Sequence, residues 1–266
     1  MEIRSITFFC NPGFPVNKLL LQKAGIFMRH ARVAYEKAGF VVQTVRLATP
    51  PFPLYLQPKN YLLGAQTIAF EAHGEGFDYF SIGPALAEFP SAYEAIPTIL
   101  SETKGLFVSG LTTTSAGQLS QPAIRACAEI MVKASTLEKD GFANLRFAAL
   151  ANVPAYAPFF PAAYSAEAQP AFALAIEAAD LAVQAFSSAT TLANARAILI
   201  YEIESNARKL EAVADQLQSI YKYDFKGLDF TLAPFPKENL SIGTAIQKIG
   251  LPVVGYQGTL AASAFI

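Results

Sequence analysis

Apolar positions recur along this chain with two alternating periods. Ile3 to Phe9 is a short apolar run closed by the turn Cys10-Asn11-Pro12-Gly13, the pattern of a buried strand. Asn17 then stands where it can cap a helix. Leu20, Ala24, Phe27, Ala31 and Ala34 follow at spacings of four and three until Gly39 stops the pattern. Phe40 to Leu47 alternates and is rich in Val, which predicts a second strand. Pro50, Pro51, Pro53 and Pro58 mark a loop. The cycle then repeats, with helices over Lys59–Glu75, Ala92–Thr103 and Pro122–Glu138. Between and after them come strands at Phe77–Ile82, Leu106–Ser109 and Leu145–Asn152. The almost wholly apolar stretch Pro170–Ser187 reads as a buried helix. A long helix over Asn194–Tyr221, a strand over Phe225–Leu232, a helix over Ser241–Ile249 capped by Ser241, and a short strand at Val253–Tyr256 complete the pattern.

Strands that alternate with helices predict a parallel sheet with helices outside. Six or seven such units suit a closed barrel or an open doubly wound sheet. No repeat, low-complexity tract or linker interrupts them, so residues 1–266 read as one domain. In the long helix, Leu199, Ile203, Asn206, Leu210, Val213, Leu217 and Ile220 keep a four-three spacing. That stripe suits packing on the sheet or a contact between two copies.

Composition narrows the function. Only 15% of the 266 residues are charged and 53% are hydrophobic, which excludes disorder for the bulk of the chain. Twenty Lys and Arg against 21 Asp and Glu leave no basic excess for nucleic acid or anionic membrane. Cys10 and Cys127 alone cannot build a disulfide scaffold and fit a reducing compartment. Two histidines, His30 and His73, exclude a His-rich metal site, and no cofactor motif is present: no Walker A, G-x-G-x-x-G, G-x-S-x-G, H-E-x-x-H or C-x-x-C. The missing charge is concentrated in three runs without Asp, Glu, Lys or Arg: Gly105–Ile124, Phe147–Ala166 and Ile249–Ile266. Prolines, glycines and polar residues break each run, so none reads as a membrane span. The N-terminus carries no signal-peptide pattern, and the expectation is a cytoplasmic protein. Loops usually face water and carry charge, so neutral ones imply burial against a ligand, each other or another subunit.

In parallel α/β folds ligands sit at the carboxyl ends of strands. That rule nominates Asn11, Arg46, Tyr79, Ser81, Gly83, Thr112 to Ser115, Asn144, Arg146, Asn152 and Asp229, the last followed by Ala233-Pro234-Phe235-Pro236. Asp229 stands out because its strand is otherwise apolar, and a carboxylate there can serve as acid/base or as half of an ion pair with Arg146 or Arg46. Glu177 and Asp180 share one face of the predicted helix, where they can hold a cation or a proton, or simply face water. The segment from Asn144 through Tyr156, Phe159, Phe160 and Tyr164 suits an apolar pocket wall with polar anchors, or a subunit interface. Cys10, at a strand end, is a conceivable nucleophile without an evident partner.

Four segments carry a family resemblance: Asp78-Tyr79-Phe80-Ser81-Ile82-Gly83-Pro84-Ala85, Gly141 to Phe147 running on to Phe159-Phe160-Pro161-Ala162-Ala163-Tyr164, Asp229 to Pro236, and Gly258-Thr259-Leu260-Ala261. Across most of its length the chain resembles the domain-of-unknown-function 711 family, also called uncharacterised protein family 0210. The resemblance implies a barrel related to that of pyruvate formate-lyase and brings no established activity. Many relatives are longer, which implies that a compact barrel is incomplete alone and favours a homodimer or higher homo-oligomer. Val254-Gly255-Tyr256 faintly matches the radical loop of glycyl radical enzymes. The arginine ahead of that glycine is missing, Pro252 and Val253 standing there, which speaks against such chemistry.

The expectation is therefore a parallel-rich, barrel-like α/β domain that binds a small carboxylate- or phosphate-bearing metabolite. Asp229 and Arg146 would be catalytic, and Arg46, Tyr79, Ser81, Thr112, Asn144, Asn152, Tyr164 and Glu177 would bind substrate. The competing reading is a non-catalytic ligand sensor or assembly protein.

Overall fold

A computed structural model describes residues 1–166, 169–232 and 237–266. The elements run β1 (Glu2–Phe9), α1 (Lys18–Lys37), β2 (Val42–Ala48), α2 (Tyr61–Gly74), β3 (Tyr79–Ala85), α3 (Pro90–Glu102), β4 (Leu106–Leu111), α4 (Gln121–Ala134), α5 (Phe142–Leu145) and β5 (Phe147–Leu150). They continue β6 (Ala171–Glu177), α6 (Ala179–Ser188), α7 (Leu192–Tyr221), β7 (Asp224–Thr231), α8 (Ile242–Lys248) and α9 (Thr259–Phe265). The predicted caps form: Asn17 accepts the Leu20 N–H, and Ser241 accepts that of Thr244.

Among the described residues seven strands join one sheet in the order β5-β4-β3-β2-β1-β6-β7, curled into a half-barrel. Period-two alternation gives the sheet two unlike faces. Ile6, Phe8, Val45, Leu47, Phe80, Ile82, Leu106, Val108, Phe172, Leu174 and Ile176 form the main core against the helices. Phe27 of α1 sits at its centre, with its ring about 5 Å from those of Phe172, Tyr221 and Tyr223. The opposite, concave face carries Phe9, Ala48, Ala171 and Ala173, covered by Ala163, Tyr156 and Phe160 from the loop after β5.

The sheet is open and, as a parallel-rich fold requires, mostly parallel: β1 pairs β6 antiparallel while every other strand pairing among the described residues is parallel. The loop after β5 crosses the concave face before the chain enters β6, so the chain re-enters the sheet running the opposite way. The predicted helix Pro170–Ser187 is two elements, β6 and α6. β6 is buried on both faces, and such a strand reads as one apolar run that periodicity cannot separate from a buried helix. Its signal is size instead: Phe172, Leu174 and Ile176 fill the helix side, while Ala171, Ala173 and Ala175 line the crowded concave side. Glu177 and Asp180 thus fall on a strand end and a helix start rather than on one helix face. Val253–Tyr256 is not a strand, because Gly250, Gly255 and Gly258, all at positive φ, keep the chain turning.

The long helix follows its predicted stripe only in part. Leu199, Leu210 and Leu217 are buried, joined by Ala195 and Ala214, whereas Ile220 is 71% exposed. No described helix is long and apolar enough to cross a membrane.

Candidate functional site

The concave face holds a row of polar side chains that the strand register aligns. Ser5, Thr44 and Asp229 share one level, with Ala175 between Ser5 and Asp229. One level on, Thr7, Arg46 and Tyr79 lie side by side on β1, β2 and β3. Ser81 follows beside Ala48. The neutral segment after β5 lies over this face as a strap. Thr7 Oγ1 donates to the Pro158 carbonyl at 3.0 Å, Ser81 Oγ to the Ala163 carbonyl at 2.9 Å, and the Ser165 N–H to the Thr49 carbonyl at 3.1 Å. The strap closes on itself where the Tyr156 N–H meets the Tyr164 carbonyl and Tyr164 Oη donates to the Val153 carbonyl. Its lack of charge follows from what it covers, which is buried strand surface.

Arg46 is the unusual residue of this face. Only 7% of it is exposed. Its Nε donates to Thr44 Oγ1 at 2.9 Å, and Thr44 in turn donates to the Arg4 carbonyl. Its guanidinium carbon lies 5.1 Å from the Phe160 ring centre and 5.8 Å from that of Tyr79. Among the described residues no carboxylate forms an ion pair with it, and Nη1 and Nη2 meet no acceptor. Burial, aided by the neighbouring Arg4, pushes its pKa down to about 10, against a weaker pull from Tyr79 and Asp78.

Asp229 faces the same side and accepts Thr231 Oγ1 at 2.7 Å. It is half-buried rather than enclosed, because β7 is an edge strand. Glu177 ends β6 at the rim, where Gln43 Nε2 donates to it at 2.6 Å and Arg4 approaches at 3.8 Å. Since β6 and β7 run against β1, their carboxyl ends meet the amino ends of β1 and β2. The strand-end rule therefore splits the nominated residues between two rims.

The other nominated residues separate. Thr112 lies at the carboxyl end of β4 and donates to the Leu150 carbonyl. Asn152, at positive φ, opens the strap. Asn144 is exposed on α5, and Arg146 follows it at the amino end of β5, away from Arg46. The Arg146 guanidinium is committed: it pairs with Glu138 at 2.8 Å and donates to the carbonyls of Leu100, Thr103 and Leu106. The nominated segment Ala233–Pro236 lies outside the described residues. Thr44 and Phe160 hold Arg46 on two sides, a role that the strand-end rule does not reveal. Thr44 does leave a signal, a polar residue two positions before Arg46 in an otherwise Val-rich strand.

Cys10 ends β1 fully buried, and burial pushes its thiol up to about 12; that of Cys127 rises to about 11. A thiolate is the reactive form. Both cysteines are therefore expected to resist iodoacetamide at pH 8 in the folded protein and to react in urea, as read by mass spectrometry. Rapid labelling of native Cys10 would contradict this environment.

The structure is an open, curled α/β half-barrel whose concave face carries a mostly buried arginine with no ion pair among the described residues. The model of the family described as Uncharacterised ACR (DUF711) matches residues 1–266, and the chain belongs to that family. It is 30% identical to a UPF0210 protein of Pyrobaculum islandicum over 88% of this chain and 54% of the relative. It is 28% identical to one of Pyrobaculum arsenaticum over 90% of this chain and 56% of the relative. With one of Methanococcus aeolicus the identity is 26%, over 93% and 58%. The chain thus spans about half the length of the curated relatives it matches.

Proposed function

We propose that the concave face binds a small anionic metabolite on Arg46 and acts on it as an enzyme, with Asp229 as the acid/base group. The observation that carries this reading is the buried guanidinium itself. That guanidinium is held by one hydroxyl and two rings and paired with no carboxylate among the described residues, and an anion seated on it would offset the cost of its burial. Asp229 stands on the same concave face, three strands along the sheet from Arg46, and among the described residues its side chain is held by one hydroxyl and no cation. Tyr79, Ser81 and Tyr164 supply the surrounding polar atoms.

The test is turnover of a panel of small carboxylates and phosphate esters by the wild-type protein and by Asp229→Asn. Loss of the general acid/base is expected to slow turnover by about 10²–10⁴-fold while leaving ligand binding intact. Equal turnover in Asp229→Asn would remove Asp229 from the mechanism.

A non-catalytic assembly role has one observation in its favour. Val132, Phe142 and Leu145 are exposed beside the open edge of β5, a surface suited to a second copy. Sedimentation of the pure protein tests this: a homodimer is expected, and a monomer at all concentrations would count against it. Five parallel strands followed by two that run the other way support a relation to the pyruvate formate-lyase-like barrel. Two buried free cysteines support a cytoplasmic location.

A further inference from the structure

We infer that the anion seated on Arg46 is a monocarboxylate with an apolar body, not a phosphate. This rests on the reading that Arg46 holds an anion, and it narrows which anion.

The first argument is the number of donors. A phosphate monoester carries nearly two charges at neutral pH and offers three oxygens, so its sites gather several cations or a nest of backbone N–H groups. Among the described residues, the other cation that acts on Arg46 is Arg4. Arg4 belongs to the rim, where it meets Glu177 and Gln43. The backbone around Arg46 is engaged in the β1–β2–β3 ladder. One guanidinium matches the single charge of a carboxylate.

The second is geometry. Thr44 already occupies Nε, so the groups left are Nη1 and Nη2, a fork whose two parallel donors fit the two oxygens of a carboxylate. Thr44 also fixes the plane of the fork, because its own hydroxyl proton is committed to the Arg4 carbonyl.

The third is the wall. Tyr79, Phe107 and Phe160 form a continuous set of rings, with centres 5.4 and 5.3 Å apart, directly beside the guanidinium. Of the hydroxyls around the guanidinium, that of Thr44 is taken by Nε, and those of Thr7 and Ser5 face the Pro158 carbonyl. A ligand body leaving the carboxylate therefore meets aromatic surface, with few free polar groups to satisfy hydroxyls or amines.

The experiment measures thermal shift and calorimetric binding for the full chain with benzoate, hexanoate, acetate and inorganic phosphate. Wild-type and the variants Arg46→Met, Arg46→Lys, Thr44→Val and Phe160→Ala are compared. Benzoate and hexanoate are expected to bind and to raise Tm, acetate to bind more weakly, and phosphate to do neither. Arg46→Met should abolish binding. Arg46→Lys, which keeps the charge but loses the fork, should weaken it about tenfold. Thr44→Val and Phe160→Ala, which leave the guanidinium in place, keep the test valid should Arg46→Met fail to fold. Arg46-dependent binding of phosphate without carboxylates would overturn this inference and leave the anion reading standing. Binding of no anion, or carboxylate binding indifferent to every variant, would overturn both.

Discussion

Arg146→Met is expected to destabilise the fold by about 3 kcal/mol, measured as a fall in the urea midpoint at constant slope. Methionine fills much of the same volume but donates nothing. The Leu100, Thr103 and Leu106 carbonyls and Glu138 would lose the guanidinium that now gathers them. These groups come from the end of α3, the start of β4 and the segment after α4, so one side chain ties three connections together. The value sits at the lower end for breaking a buried pair because the Glu138 side chain is 36% exposed and can regain water. A loss below about 1 kcal/mol, the ordinary worth of a surface pair, would show that Arg146 does not lock this corner.

Gly83→Ala is expected to cost a comparable amount, about 3 kcal/mol, for a different reason. Gly83 lies within β3 at φ +74°, a region that only glycine enters freely, and a Cβ there would stand 2.5 Å from the Pro50 carbonyl oxygen. The obstacle is backbone, so no rotamer relieves it. Gly39 is the control. It closes α1 at φ +91°, and a methyl added there would meet nothing within 4 Å. Gly39→Ala should therefore show only the conformational part, about 1–2 kcal/mol. Equal losses in the two variants, by thermal or urea unfolding, would mean that the Pro50 contact yields.

Most of the alternating strands and helices of the first 150 residues are legible in the sequence because each strand there has one large-apolar face and α1, α3 and α4 each have a regular apolar stripe. Legibility fails at β6, where burial on both faces erases the polar half of the pattern. It fails for direction as well. Nothing in Ala171–Glu177 says that it will pair antiparallel with β1, because direction is decided by where the strap delivers the chain. The site suffers from this second failure. Arg46 and Arg146 stand in similar apolar surroundings in the sequence. One falls in mid-strand on the concave face and the other ahead of a strand, among helix-end carbonyls. Local sequence does not distinguish the two; only the position of each strand's first hydrogen bond does. Asp229 faces the interior, but it is more open than an apolar strand suggests, because β7 has a neighbour on one side only.

The antiparallel junction also has a kinetic consequence. Ile6 pairs on one side with Val45 and on the other with Leu174. The β1–β2 contact closes a short loop, whereas the β1–β6 contact closes one that encloses most of the chain, and long closures are entropically unfavourable and slow. Until residues 171–177 arrive, β1 keeps one bare edge in the middle of what will become the sheet. The expected order of assembly is that units β1 to β5 condense first and β6 with β7 dock last. In native-state hydrogen exchange the amides of β7 are therefore expected to open before those of β2 and β3, making the wall that carries Asp229 the more labile half of the interior.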